Sequence, residues 1–439
     1  MMMKKGLPAG VILCFSFCAA PARAGDAVSE SEMFSSPEVA TQPASAPAVQ
    51  EEKKTLGFSG ELLSVLEDIS YTTSSARALN SYTLGNLMLD ARLKNGVKGF
   101  ANMEVSYRAS ARDTDSSLRE AFLDFNLDRR VYFRAGKQVL QWGRCSLWNP
   151  TDLINVEKKT FIRKLGYRDG AYGVKAHMPF GAAYNLYGFL DTGNAREDRD
   201  LGGALKFEFL TGRTEMAFSG WTKRFRRPVF GYDVSSRLGA VDVSGEWSLS
   251  RRDNSLFLRE NSGTLESYRK KDNWINRAAV NFRRGFRLGN FNDRLTAATE
   301  FFYNQNGYVK TPFRDGGVYN LSVPLVSAGP AGTLVYQNTG TKKEFMLANG
   351  LYEPNYLARY YGAVFTGVSR FIITDMTFNA NYIRNFNDGT GVLSAGASYR
   401  NINDFSAGFL ASAYLGPADG EYTFLKAKLM LQLTAGISF

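Results

Sequence analysis

Histidine is nearly missing from this chain, and cysteine is scarce. The 439 residues hold one histidine, His177, and three cysteines, Cys14, Cys18 and Cys145. No CxxCH haem-attachment pattern occurs. Zinc centres draw most of their ligands from His and Cys, so a zinc or haem site built by this chain alone is not expected, nor any other cofactor. A Ser-His-Asp relay would have a single candidate base. Cys145 would need a base beside it to act as a nucleophile, and an enzyme is therefore disfavoured. Long apolar runs are also lacking. No segment of ~18 apolar residues follows the N-terminal region, which excludes a membrane-spanning helix there.

The N-terminal region has the pattern of a processing signal. Lys4 and Lys5 precede the apolar stretch VILCFSFCAA, and Ala22-Arg23-Ala24 supplies a small-x-small cleavage site. Residues 1–24 read as a cleaved signal peptide of Sec-type export. Cys14 and Cys18 leave with it, and bulky Phe17 argues against a lipid anchor at Cys18. Cys145 is then the one cysteine left, so no intramolecular disulfide is possible. Residues 25–55 hold six acids and two lysines among many Pro, Ala and Ser, which reads as a disordered linker. From Leu56 onward there are 48 basic and 36 acidic side chains. A basic body suits anionic headgroups, anionic solutes or nucleic acid. Export makes nucleic acid the least expected of the three.

What is abundant is aromatic residues, at 13%, and glycine, at 42. These fall into period-two segments. In the C-terminal LMLQLTAGISF, Leu429, Leu431, Leu433, Ala435, Ile437 and Phe439 share one face, while Gln432, Thr434, Gly436 and Ser438 share the other. VDVSGEWSLS, MTFNANYIRN, REAFLDFNLD and RLTAATEFFYN alternate likewise, and their polar faces carry charges. A sheet face bearing charges must meet water, so such strands separate lipid from a wet interior. Eighteen such segments can be placed, from 56–70, 82–94 and 98–110 to 391–400, 404–415 and 422–439; sixteen is the alternative count. Short connections (LKNG, LDRR, MPFGA, LTGR, RLGA) alternate with longer ones, notably 139–168, 252–273 and 305–357. The last of these contains TLVYQN and KEFMLANG, a candidate hairpin capping the mouth.

The processing signal, the alternation and the terminal Phe439 together resemble the Gram-negative outer-membrane β-barrel superfamily over residues 56–439. More loosely, RAGKQVLQWG is similar to a Gly-Arg-Gln…Trp-Gly strand of alginate-export and phosphate-selective porin-type barrels, with Lys137 in place of the usual Arg. The resemblance implies an all-β fold: a single transmembrane antiparallel β-barrel in the cell outer membrane, with short periplasmic turns and long outer loops. It implies outer-membrane lipid, lipopolysaccharide and the barrel-assembly machinery as partners, with Phe439 part of the assembly signal.

The densest stretch of unusual residues is QVLQWGRCSLWNPTDLIN, residues 138–155. It ends the fifth strand and opens the third outer loop, which in general porins folds into the lumen. The resemblance implies the same here, with Arg144, Asp152, Lys158, Lys159, Arg163 and Lys164 as the pore constriction. Asn149 can cap a helix and Pro150 suits its first turn. A basic constriction favours anions; the alternative is a solvated loop bound to lipopolysaccharide phosphates. Trp142 and Trp148 read as packing anchors. Period two puts Glu120, Asp124, Arg134, Lys175, His177, Glu208, Asp242, Glu246, Glu300 and Lys428 on the lumen-lining face. The expected function is passive diffusion of small polar solutes, anions included. The alternative is a barrel sleeve around a periplasmic partner, such as a multihaem cytochrome or an export complex.

Overall fold

A computed structural model of the chain describes residues 56–439 except 74–76, 94–95, 141, 155–157, 162–166, 194, 198–199, 271–273, 329–333 and 402–403. The expected signal peptide and linker lie outside the described residues, as do Arg163 and Lys164 of the expected constriction.

Eleven strands run in succession: β1 (Leu56–Tyr71), β2 (Arg77–Arg92), β3 (Lys98–Arg108), β4 (Asp113–Leu127), β5 (Val131–Gln138), β6 (Ala171–Phe180), β7 (Tyr184–Asp191), β8 (Gly202–Thr211), β9 (Thr214–Lys223), β10 (Val229–Leu238) and β11 (Val241–Ser250). After the short β12 (Phe257–Asn261) and β13 (Thr264–Tyr268) come β14 (Ile275–Leu288) and β15 (Phe291–Asn304). Then β16 (Tyr319–Ala328), β17 (Leu334–Gly340) and helix α1 (Lys342–Ala348) follow. The chain ends in β18 (Tyr360–Ser369), β19 (Met376–Asn385), β20 (Gly391–Arg400), β21 (Phe405–Leu415) and β22 (Ala427–Ser438).

Without β12, β13, β16 and β17, eighteen strands form one sheet, each pairing antiparallel with the next. The sheet closes on itself where β22 pairs with β1, from Glu61 opposite Ser438 to Ser70 opposite Leu429. The last backbone rung is Gly60 and Phe439, which exchange hydrogen bonds of 2.8 and 2.9 Å. Closure satisfies every strand edge, which an apolar surrounding demands. Outward positions carry Leu62, Leu66, Leu205, Phe218, Trp247, Phe301, Leu393, Phe409 and Leu433, all exposed. So continuous an apolar exterior is far beyond what a water-facing surface shows.

The eighteen strands follow the sequence reading in order, with shifted ends. β2 begins at Arg77 and β4 at Asp113, both earlier than the alternation indicated. β22 begins at Ala427 and not at 422, because Lys426 takes φ +61° and residues 420–426 close on themselves through backbone bonds such as Phe424 N–H to Gly420 O.

At the long-loop end, β12, β13, β16 and β17 form a separate four-stranded sheet. Its core joins Leu265, Phe313, Leu321, Phe345, Met346 and Phe424. TLVYQN does form a strand, β17, paired with β16. KEFMLANG does not; it forms α1, because Thr341 and Glu344 make a reciprocal capping box at its start.

Two expectations concern this architecture. Gly136 in β5 has φ +129°, and a Cβ there would lie 2.2 Å from the Ala121 carbonyl oxygen. Gly136→Ala is therefore expected to destabilise the barrel by more than about 1 kcal/mol. It should lower the temperature at which the compact band converts in detergent gels, whereas Gly203→Ala, with nothing within 4 Å, should not. In the outer sheet, Lys342 Nζ lies 2.6 Å from Asp315, which also accepts from Tyr319 OH and Gly317 N–H. These contacts hold the Asp315 carboxyl down at about 2. A depressed carboxyl contributes stability above its unfolded value near ~4 and loses it as pH falls through about 2; for so exposed a pair the amount is under about 1 kcal/mol. Amide exchange in β16, β17 and α1 should quicken over that window, and unchanged protection would remove the pair as a determinant of the sheet.

Candidate functional site

The loop joining β5 to β6 spans residues 139–170 and leaves and re-enters the barrel at adjacent strands. Between them it crosses the lumen. Its backbone reaches Glu300 on β15, eight strand pairings around an eighteen-stranded circle from β5. On the return, Tyr167 N–H donates to Glu104 on β3 at 3.0 Å.

Two wall carboxylates hold the crossing. Glu246 on β11 accepts from the Arg144 and Cys145 amides (2.6 and 2.7 Å), the Asn149 side-chain amide (2.7 Å), and the Thr151 amide and hydroxyl (3.1 and 2.7 Å). Glu300 accepts from the consecutive amides of Ser146, Leu147 and Trp148, at 2.8, 3.0 and 2.6 Å. Charge-assisted bonds to backbone N–H groups are the stronger kind, and a run of such amides curved around an oxygen makes an anion cradle. Here the anion is the protein's own wall.

This arrangement explains why the helix expected from Asn149 and Pro150 does not form among the described residues. Asn149 spends its side-chain amide on Glu246 and the Cys145 carbonyl. The Thr151 N–H turns to Glu246. Only a turn remains, closed by Asp152 N–H to Asn149 O at 3.0 Å.

Arg144 sits at the centre. Its guanidinium contacts Glu208 at 2.7 Å, Glu215 at 2.6 Å, and Asp233. Lys206 joins the cluster, reaching Asp233 at 3.1 Å and the Trp142 carbonyl at 2.9 Å. Burial alone would lower the Arg144 pKa, but the bond to Glu215 and the charges of Asp233, Glu215 and Glu208 raise it, so it stays charged. Apolar contacts fix the two ends of the crossing. Trp148 is fully buried, stacks on Phe302 at 5.5 Å, and donates its indole N–H to the Asn355 carbonyl at 2.9 Å. Trp142 packs with Leu140, Ile154, Phe189 and Ala204. Phe161 meets Phe365 at 6.0 Å.

Lys158 donates to the Asp152 carbonyl (2.6 Å) and Lys159 to the Cys145 carbonyl (2.8 Å). Asp152 faces Arg168 at 3.6 Å. Glu120 accepts from Val139 N–H at 2.8 Å, where the loop begins. Asp124 and Arg134 form a two-pronged pair at 2.6 and 2.8 Å, with Lys175 opposite Arg134 in register. His177 bonds Asn185 at 3.0 Å and stacks on Tyr187 at 4.4 Å. Asp242 pairs with Arg237 near the short-turn end, and Lys428 is exposed toward the long-loop end. Among the described residues of the expected basic constriction, each loop cation faces a carboxylate or a backbone carbonyl. Cys145 is buried, and burial with the Glu246 and Glu300 charges pushes its thiol up, away from nucleophilic use.

The sequence reading passed over Glu215, Asp233 and Glu421. Period two on TEMAFSGWTK and VFGYDVSSRL would have placed the first two inward. Glu421 carries no periodic signal, since it lies in the turn before β22. It accepts from Asn355 N–H (2.8 Å), Tyr361 OH (2.6 Å) and Asn385 (2.8 Å), and burial pushes its carboxyl up to about 8.

Glu246→Ala would leave five donors without their acceptor, at roughly 1–3 kcal/mol for each one not rescued by water. The expected outcome is release of the crossing with the barrel intact. Trypsin should then cut at Lys158 or Lys159 in the variant under conditions where the parent resists. Equal resistance would show that Glu246 does not anchor the loop.

No protein-family model and no curated protein sequence matches the chain. Solved structures do. The crystal structure of OccAB1 from Acinetobacter baumannii superposes with a TM-score of 0.52 at 9% identity, over 88% of this chain and 97% of that one. That of OccK2 (OpdF) from Pseudomonas aeruginosa, in complex with glucuronate, gives 0.51 at 11% identity, over 88% and 98%. The outer membrane protein OprD from Pseudomonas aeruginosa gives 0.51 at 8% identity, over 88% and 93%. The fold of residues 56–439, a closed eighteen-stranded barrel, is thus that of these outer-membrane proteins.

Proposed function

We propose that the chain is an outer-membrane channel through which small polar solutes diffuse passively, with the β5–β6 loop as its constriction. The observation that carries this reading is the crossing loop itself. A charged lumen wall holds a backbone segment across the interior of an apolar-skinned barrel, which narrows the lumen without closing the sheet on any reacting group. Selectivity then comes from width and lining groups, with no chemistry. The likeness to a barrel solved with glucuronate supports solutes of about that size and polarity. The charge preference stays a separate matter.

The sleeve is the weaker alternative. A barrel that sheathes a cytochrome or an export partner must leave its lumen to that partner. Here Trp148, Phe302, Tyr361, Ile383 and Val392 share one buried cluster inside the barrel, and a partner would have to break it.

Purified protein in a planar bilayer tests the reading. Stable unit conductance is expected from the protein alone, and Glu300→Ala, which frees one end of the crossing, should raise it. A protein silent by itself that copurifies with haem would replace the channel with the sleeve.

A further inference from the structure

We propose that the conduit discriminates against net charge and takes neutral, hydroxyl-bearing solutes along the wall formed by β18 to β22. This rests on the channel reading above. Two observations lead to it, one on each side of the lumen.

The first is how the cations of the crossing are used. Among the described residues, Arg144 and Lys206 meet Glu208, Glu215 and Asp233, Arg168 meets Asp152, and Lys158 and Lys159 donate to loop carbonyls. Each described cation of the crossing is thus engaged by the protein itself and is not presented free to an anion. Part of the body's basic excess lies instead on turns at the barrel's short-turn end, where Arg129, Arg130 and Arg213 are exposed.

The second is the opposite wall. Inward positions are set there by Tyr361, Ile383 and Val392, which share a buried cluster with Cys145, Leu147 and Trp148 of the loop, and by the Ser394–Ser412 and Gln432–Glu67 contacts. On that face, β18 to β22 carry no Asp, Glu, Lys, Arg or His between Arg400 at one end and Lys428 at the other. They present Thr377, Asn379, Asn381, Ser398, Ser406 and Thr434, none of them buried. Hydroxyls and amides each donate and accept, so they pair with a solute hydroxyl in either orientation. Apart from Glu67 at the edge of the wall, itself bonded to Gln432 and Asn80, they offer an ion no counter-charge for the water it sheds. At Gly367 a Cβ would lie 2.9 Å from Asn379 Oδ1 and 3.2 Å from Thr296 Oγ1, so bare backbone floors a shallow polar bed beneath those groups. Phe365 and Tyr414, partly buried, lie on the same inward face and pack against that cluster. An aromatic ring beside hydroxyls and amides fits the two surfaces of a sugar, its C–H face and its hydroxyl rim.

The competing path would run past Lys175 on β6 and Arg283 on β14, inward-facing cations that make no side-chain hydrogen bond or ion pair with a described residue. Swelling of proteoliposomes separates the two. Glucose is expected to enter faster than glucuronate by about fivefold, the effect of one charge left without a partner, and K⁺ and Cl⁻ permeabilities should be of the same order. Asn379→Lys should then shift preference toward Cl⁻, and Ser398→Asp toward K⁺, with conductance retained. Faster glucuronate entry, a strong Cl⁻ preference in the parent, or no shift in either conducting variant would overturn the inference and leave a channel standing. Loss of both swelling and conductance in the parent would overturn the channel reading itself.

Discussion

The interior depends on one kind of contact: a carboxylate planted on the wall of a closed sheet, accepting the backbone amides of a loop that crosses the lumen. Glu300 takes three consecutive amides, and Glu246 takes two more together with three side-chain or amide donors further on. A segment with no regular structure cannot satisfy its own N–H groups, and each one left buried and unpaired costs roughly 1–3 kcal/mol. A carboxylate withdrawn from water costs several kcal/mol unless it is well bonded. Neither partner would be tolerable there alone. Together they remove each other's penalty and fix the loop's path residue by residue.

The same bargain decides what Arg144 does. A guanidinium at the tip of an in-folded loop looks, by composition, like a filter for anions. Placed against Glu208, Glu215 and Asp233, it becomes the counter-charge that lets three acids stand in one corner of the barrel. The cation is then structural. A passing solute meets the sum of the cluster and not the arginine. Net charge summed over the chain is likewise a poor guide to the field in a lumen, because screening over about 8–10 Å separates rim charges from the constriction.

The strands were legible because period two is a long-range signal. Most add an outward apolar residue at every second position, and several such residues in succession outweigh local exceptions such as Met430. Strand ends were less legible: the start of β22 depends on Lys426 adopting φ +61°, which no alternation encodes. That Trp142 and Trp148 would serve as packing anchors could be read from QVLQWGRCSLWNPTDLIN; an inward turn of the loop was implied only by the resemblance to porins. The identity of the acceptors could not. Glu246 and Glu300 lie on the correct face by parity, but which amides they bind depends on a crossing that spans about half the barrel. The outer sheet was the least legible part. β12 and β13 have five residues each, too short for a period to show, and α1 announces itself only through its capping box.

Buried hydrogen bonds join the constriction to the mouth. Trp148 donates to Asn355, whose own amide binds Glu421, which also holds Tyr361 on β18 and Asn385 on β19. Tyr422 donates to the Asn355 side chain at 2.8 Å. A continuous chain of buried bonds therefore runs from the crossing loop through the long outer loop to the turn before β22. Such a path couples its ends only if its members move together, and here each has at least two partners on different elements. A shift of the crossing large enough to widen the lumen must break the Trp148–Asn355 bond or carry Asn355 along, and with it the base of the outer sheet. The width of the conduit and the order of its mouth are in this way one structural variable, set by the acids on the wall.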